Sequence, residues 1–369
     1  MVKWRTFLFL LLSCILATGC SDVKIIDDLA LINAVAYDKS DDKENPINVT
    51  ITFPIITKDG KYDRKNLSAN AKSSKSARDK LDRETDLQLE SGQLRVALFG
   101  EDLAREGILK HIDTLSRDPS IGTRVMLGLG MDKASELLEI EVDSEGQNAT
   151  YLERYLQRIH QTSTDIIYDI FHFNRDYYDE GIDPILPVFN TTKKDIKFDG
   201  IGLFQDDKLI DLLSSDESGM LFFLKEKIDH GSLDMEVDDE GEESAVIMLS
   251  YVQTTHKVKA TYSSPDSLSA TIYIKMKGNV QEYTGMQDLA DPKVQMKIEK
   301  DLRTQIEEKS RELIKTLQDL QVDSIGVGRY VKNKMSYNDW KALDWHEEFS
   351  KMDINVDIDV KLNNIGKWK

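Results

Sequence analysis

The stretch DPKVQMKIEKDLRTQIEEKSRELIKTLQDL, residues 291–320, decides the fold of the second half of the chain. Asp291 is a helix-capping residue and Pro292 occupies the first helical position, where its missing N–H costs nothing. Val294, Ile298, Leu302, Ile306, Leu313, Leu317 and Leu320 then recur on one face of a helix with no breaker inside it. Downstream, Ile354, Val356, Ile358, Val360 and Leu362 alternate with Asp353, Asn355, Asp357, Asp359 and Lys361, which is a strand with one face on a core and one in water. Upstream, β-rich runs cover 245–251, 257–262 and 268–277, after a hairpin of 197–204 and 208–213 joined at Gln205-Asp206-Asp207 and a helix over 219–227. Strands flanking one long helix imply an antiparallel sheet with that helix packed across it.

The first half mixes its elements more finely. Strands are expected at 29–37 and 47–56, the latter marked by Val49, Ile51 and Phe53, and an exposed polar loop at 58–75. Ser76 is a candidate cap for a helix running through Leu81 toward Leu89. The strand Gln93-Leu94-Arg95-Val96-Ala97-Leu98-Phe99-Gly100 leads into a helix at 101–107, and Ile108, Ile112 and Leu115 carry a second helix to Asp118-Pro119. A strand at 125–130, a helix at 133–140 and a mostly helical 151–178 follow, ended by Pro184 and Pro187. The fold class is α+β with two to three domains: a mixed α/β N-terminal half at 20–190, possibly two subdomains, and a C-terminal domain at 199–369 with an antiparallel sheet and the long helix. The boundary is expected between Gly181 and Asp199, where Pro, Gly and polar residues cluster.

Residues 1–19 have the layout of a secretory signal: Lys3 and Arg5, an apolar run from Thr6 to Ala17, then Thr18 and Gly19. The run is too short for a bilayer core that needs roughly 20 helical residues. Ala17-Thr18-Gly19-Cys20 resembles the bacterial lipobox, in which the cysteine receives a diacylglyceryl group before cleavage just ahead of it and becomes an N-acylated first residue. Two or more acyl chains hold a protein stably on a membrane where one does not. Cys14 leaves with the signal, so the mature chain keeps Cys20 alone and has no internal disulfide.

Losing residues 1–19, which hold two basic and no acidic side chains, moves the formal charge from −18 to −20. A surface of that sign is repelled by nucleic acid and excludes it as a partner. His111, His160, His172, His230, His256 and His346 are too scattered to converge on a metal from one helix. His346-Glu347 reaches Ser350 where a zincin needs its second histidine, and the glycine pairs 128/130, 200/202 and 326/328 lack the third glycine of a dinucleotide loop. The acidic run 238–243 lacks the ligand spacing of an EF-hand and reads as a solvated loop. No catalytic constellation and no cofactor site emerge, so the expectation is a lipid-anchored protein that is not an enzyme.

Ordered pieces of the chain carry a resemblance. They are Cys20-Ser21-Asp22, the block from Leu94 through Phe99-Gly100-Glu101 to Ile108, Arg117-Asp118-Pro119, Gly200-Ile201-Gly202-Leu203-Phe204 with Lys208-Leu209, and Glu217-Ser218-Gly219. Asp323-Ser324-Ile325-Gly326-Val327-Gly328, Trp340, Trp345, Phe349 and the alternating terminal strand complete the set. In that order they resemble the C subunits of bacterial spore germinant receptors, the Ger(x)C lipoproteins. The resemblance implies a three-domain α+β protein, anchored through Cys20 to the outer face of the spore inner membrane. It also implies action with membrane-embedded A and B subunits in nutrient-triggered germination, and no catalytic residue. The rival class sharing the anchor is the substrate-binding lipoprotein of an importer, which is usually built from two parallel-sheet lobes.

Overall fold

A computed structural model describes residues 28–56, 59–60, 62–140, 167–192, 195–239, 244–262 and 268–363, with single positions at 4, 152, 154, 155 and 157. Cys20, the rest of the signal segment, the centre of the acidic run and most of positions 151–166 of the expected 151–178 helix lie outside these residues.

The larger sheet has eight strands. In chain order they are β2 (Ala34–Lys39), β3 (Ile47–Ile56), β4 (Tyr62–Ala71), β6 (Val96–Gly100), β7 (Met126–Gly130), β8 (Ile185–Thr191), β9 (Ile196–Gln205) and β10 (Lys208–Ser214). Their spatial order is β10-β9-β8-β7-β6-β2-β3-β4. The four central strands run parallel and the flanking pairs antiparallel. Parallel strands bury both faces, which is why β6 and β7 are the unbroken apolar runs VALFG and MLGLG, buried at every position. A short parallel pair, β1 (Leu29–Leu31) with β5 (Gln88–Glu90), lies beside it. The connections carry helices α1 (Ser74–Leu81), α2 (Glu101–Glu106), α3 (Leu109–Arg117), α4 (Ala134–Glu139) and α5 (Ile170–Tyr178).

Three expectations change here. The polar stretch 58–75 contains β4, an edge strand on β3, because Leu67, Ala69 and Ala71 alternate inward while the polar residues work elsewhere. Among those, Arg64 donates to the carbonyls of Glu139 (2.8 Å) and Ile140 (2.7 Å), and Asn66 to that of Leu138 (3.1 Å). They satisfy the end of α4, whose last carbonyls have no partner inside the helix. Second, the cap of α1 is Ser73; Ser76 is the third helical residue of a capping box, and the helix stops at Leu81. Third, β8 and β9 pair antiparallel through 185–203, so the large sheet runs across the boundary expected between Gly181 and Asp199. Pro187 sits in β8 beyond the part bonded to β7, where its missing N–H breaks no ladder bond to that strand.

After β10, Ser214 and Glu217 form a capping box that starts α6 (Ser215–Lys225). This helix packs on β9, β10 and the long helix α7 (Pro292–Asp319), so it joins the two parts of the molecule. The smaller sheet has the order β11 (Gly231–Val237), β12 (Ala245–Tyr262), β13 (Leu268–Tyr283) and β14 (Asp353–Asn363). The two segments expected at 245–251 and 257–262 are one strand, bulged where Tyr251 takes φ 51°. The first three strands are antiparallel as expected. The last is not: β14 runs parallel to β13 from Ser269↔Asp353 to Asn279↔Asn363. The connection from β13 is α7 followed by α8 (Gly328–Lys332), α9 (Tyr337–Lys341) and α10 (Trp345–Lys351), a crossover that returns the chain to the starting end of β13.

The α7 stripe is buried at Ile298, Leu302, Ile306, Leu313 and Leu317, and Glu299 is buried with it. Its Oε1 accepts from the Leu362 N–H (3.0 Å) and its Oε2 from the Lys361 ammonium (3.0 Å). One helical face thus supplies apolar packing and an acceptor for an amide that β14 turns away from β13. Glu299→Ala is expected to lower the unfolding free energy by about 2 kcal/mol, read as a fall in urea midpoint at unchanged slope. An unchanged midpoint would show that solvent replaces the bond.

Candidate functional site

The glycine-rich segment after α7 meets the end of the large sheet. Asp323 is fully buried. Its Oδ1 accepts from the backbone N–H of Gly326 (2.8 Å) and Val327 (3.0 Å), and its Oδ2 from Gly328 N–H (2.7 Å) and Trp345 Nε1–H (3.1 Å). Across the joint stands Asp183, just before β8. Its Oδ2 accepts from Asp323 N–H (2.7 Å) while its own N–H donates to the Asp323 carbonyl (3.0 Å). Asp183 Oδ1 also receives the Asp206 N–H from the β9–β10 turn (3.3 Å) and lies 3.2 Å from His346 Nε2.

Close backbone approach makes this possible. Gly181, at φ +91°, lies against Gly328, and a Cβ on either would come within 2.5 Å of the other's backbone. No other residue fits there without moving the chain. Arg329 N–H donates to the Gly181 carbonyl (3.1 Å). Lys225, completely buried at the end of α6, donates to the Ser324 carbonyl (2.8 Å) and sits 3.6 Å from Asp176 of α5. At the rim, Glu180 takes Trp340 Nε1–H (2.7 Å) and the ammonium groups of Lys341 and Lys332. The Trp340 and Trp345 rings lie with centroids 5.4 Å apart and their planes tilted by 34°. A cleft of about 320 Å³ opens beside them, lined by Asp179, Glu180, Asp206, Trp340 and His346 among others.

Electrostatics follow from burial. Desolvation pushes the Asp323 carboxyl up to about 6, against the pull of its amide donors. The hydrogen bond to Asp183 raises His346 above the ordinary histidine value. Burial lowers Lys225, opposed by Asp176. A raised folded-state value means tighter proton binding in the folded protein. The Asp323 contribution is therefore complete below about pH 4 and lost as pH climbs through about 6. That of His346 is complete below the ordinary histidine range and lost as pH rises through its higher folded value.

The remaining histidines are separate. His111 stacks on Tyr37 at 5.1 Å, its Nδ1 lies 3.0 Å from Ser74 Oγ, and burial pushes it down to about 4, so it is neutral at physiological pH. His172 is held by Asp169 (2.6 Å) and His256 by the Leu224 carbonyl (2.8 Å). Among the described residues no three His, Cys, Asp or Glu side chains are arranged to hold a metal. Of the acidic run, Asp238 pairs with Lys297 (3.4 Å), and Asp239 accepts from Tyr283 Oη–H (3.0 Å) and Met286 N–H (2.9 Å). Sequence reasoning singled out the 323–328 segment and both tryptophans, but not their partners Asp183, Glu180 and Lys225. The available signal was an aspartate placed three to five residues before a Gly-x-Gly, spaced to fold back on those amides.

Comparison with known proteins places this geometry. Residues 22–191 match the spore germination protein N-terminal domain, and residues 199–366 match the spore germination B3/GerAC-like C-terminal family. The chain belongs to the GerAC-like spore germination protein family, a family of non-enzymatic germinant receptor subunits. It is 26% identical to spore germination protein GerQC of Bacillus cereus, over 98% of this chain and 99% of that protein. It is 24% identical to spore germination protein KC of Bacillus subtilis (strain 168), over 97% and 94%. The crystal structure of the GerBC protein has the same fold, with TM-score 0.55 and 18% identity over 93% of this chain and all of that one.

Two outcomes are expected of the joint. Asp323→Asn leaves two buried donors without an acceptor and lowers stability by about 3 kcal/mol at neutral pH, measured by chemical denaturation. His346→Gln should cost more at pH 6 than at pH 9 in thermal melts, since the raised His346 contributes on the acid side. An equal cost at both pH values would remove the His346–Asp183 pair as its source.

Proposed function

We propose that this protein is the C subunit of a nutrient germinant receptor. It is held on the extracytoplasmic face of the spore inner membrane by a diacylglyceryl group on Cys20 and acts with membrane-embedded A and B subunits. The observation that carries the reading is the pairing of a lipobox ending at Cys20 with a family match that begins at residue 22. Cys20 stands eight positions before Asp28, where the continuous described stretch begins. Among the described residues no helix is long and apolar enough to cross a membrane. Membrane retention is then the work of the lipid.

The anchor acts on assembly by concentration: confining a subunit to the surface that holds its partners raises the effective concentration of the encounter without any new contact. The strongly acidic surface favours basic extracytoplasmic loops on those partners. The domains 20–190 and 199–369 are read as sequence regions of one body, tied together by the Asp183–Asp323 joint and by α6.

Cys20→Ala is expected to move the protein from the spore inner-membrane fraction to the soluble fraction. It should also abolish co-purification with the membrane-embedded A and B subunits and leave spores unresponsive to one class of nutrient, with circular dichroism unchanged. Normal germination and membrane recovery of this variant at wild-type expression would overturn the anchored-subunit reading.

A further inference from the structure

A cavity of about 610 Å³ shares no lining residue with the joint. Its floor is the face of the large sheet formed by Val35 on β2 and Val49 and Ile51 on β3. Its walls are Leu81 of α1, Leu89 of β5 and Leu115 of α3. Each of these six side chains is almost fully withdrawn from the outer surface. The volume is within the range of small-molecule sites, which combine an apolar body with a few polar groups at one end.

The polar end is here the mouth. Arg78 of α1 donates to Ser91 Oγ (2.9 Å) and to the Leu89 carbonyl (2.8 Å), and meets Asp118 at 3.4 Å. These bonds fix the guanidinium at the rim. Asp118 is further engaged by Ser120 N–H (3.0 Å) and Oγ–H (2.6 Å). Lys75, one turn before Arg78, borders the same mouth, is exposed, and belongs to no ion pair among the described residues. Lys75, Arg78 and Arg117 share this opening with Asp79 and Asp118, three basic side chains against two acidic ones, so on a chain whose formal charge is −18 the mouth of the apolar pit is net basic.

Position supplies the occupant. Ile32 and Leu89 both line the cavity, and both sit where the chain enters the fold, since β1 pairs with β5 immediately before Ile32. Ile32 is twelve positions after Cys20, so a fully extended tether keeps the opening within roughly 40 Å of the anchored residue. An apolar pit with a net basic mouth, kept that close to a bilayer, matches a hydrocarbon tail carrying one anionic or polar head. We propose that the cavity binds a single acyl chain, with the tail on the β2–β3 floor and the head at Lys75 beside Arg78. The closeness to lipid rests on the Cys20 reading; the pit and its mouth do not.

The shared chemistry has two sources, the protein's own acyl anchor or a free amphiphile from the membrane. The test uses the full mature chain with Cys20→Ser, in detergent-free buffer, titrated by calorimetry with decanoate and with decanol. One decanoate should bind per chain in the micromolar range, with decanol several-fold weaker. Lys75→Ala should bring the two ligands to equal affinity. Val49→Phe on the floor and Ile121→Phe at the mouth should each weaken decanoate at least tenfold while circular dichroism stays that of the parent.

The lipidated chain in phosphatidylcholine nanodiscs, measured against empty discs, separates the sources. Loss of decanoate binding there marks the anchor's acyl group as the occupant, and retained binding marks a free amphiphile. Absence of saturable decanoate binding to the Cys20→Ser chain, or binding unaffected by both filling substitutions, overturns the proposal. Neither result bears on the anchor reading, which stands or falls on membrane fractionation.

Discussion

A carboxylate cannot be taken out of water unless the protein replaces the hydrogen bonds that water gave it, and at Asp323 this requirement organises the molecule. Four donors converge on its two oxygens, three from the backbone of 326–328 and one from Trp345. Asp183 brings the large sheet to the same point through a reciprocal pair of backbone-linked bonds. Several other features follow from that constraint. Glycines are needed at 181 and 328 because the chains touch there, and the indole of Trp345 is oriented by the bond it gives. The joint couples the segment after α7 to the end of the large sheet through two groups whose proton affinity it raises, Asp323 by burial and His346 by its bond to Asp183.

Much of this architecture was legible in the amino-acid order. The α7 stripe and its Asp-Pro start, the terminal alternation, the unbroken runs of β6 and β7 and the 205–207 hairpin all follow from periodicity and turn chemistry, and the structure has each of them. What periodicity lacks is direction and partner. The alternation of 353–362 is the same whether the strand runs with or against its neighbour, so the parallel pairing of β14 with β13 was out of reach. Strand β4 was hidden because its outward residues are spent on the end of α4, a contact made across about seventy positions of sequence. The joint was half visible, as the 323–328 segment. Its other half, at 180–183, is a short Gly- and acid-bearing stretch that reads as a linker until its partner is known.

The two family segments end at residue 191 and begin again at 199, and the composition of the chain changes in the same place. Hydrogen bonding does not, for β8 and β9 face each other across that gap. The N-terminal segment alone would present β8 as an open edge, and the C-terminal one would begin with a hairpin that has lost its sheet. The division describes how the sequence is segmented, while the folded body is continuous there. Retention of the fold at 18% identity to the GerBC protein fits a body defined by layer packing and a few close glycine contacts more than by particular side chains.

The parallel pairing of β14 also sets an order of events. A chain emerging from its N-terminus delivers β13 roughly seventy residues before the strand that pairs with it. Until then β13 has an unpaired edge, and the apolar stripe of α7 has an unfinished sheet to cover. The second sheet is therefore closed only once residues 353–363 have been made, after every strand of the large sheet. A chain cut short during synthesis would keep its large sheet and lack the strand against which α7 sets its buried glutamate.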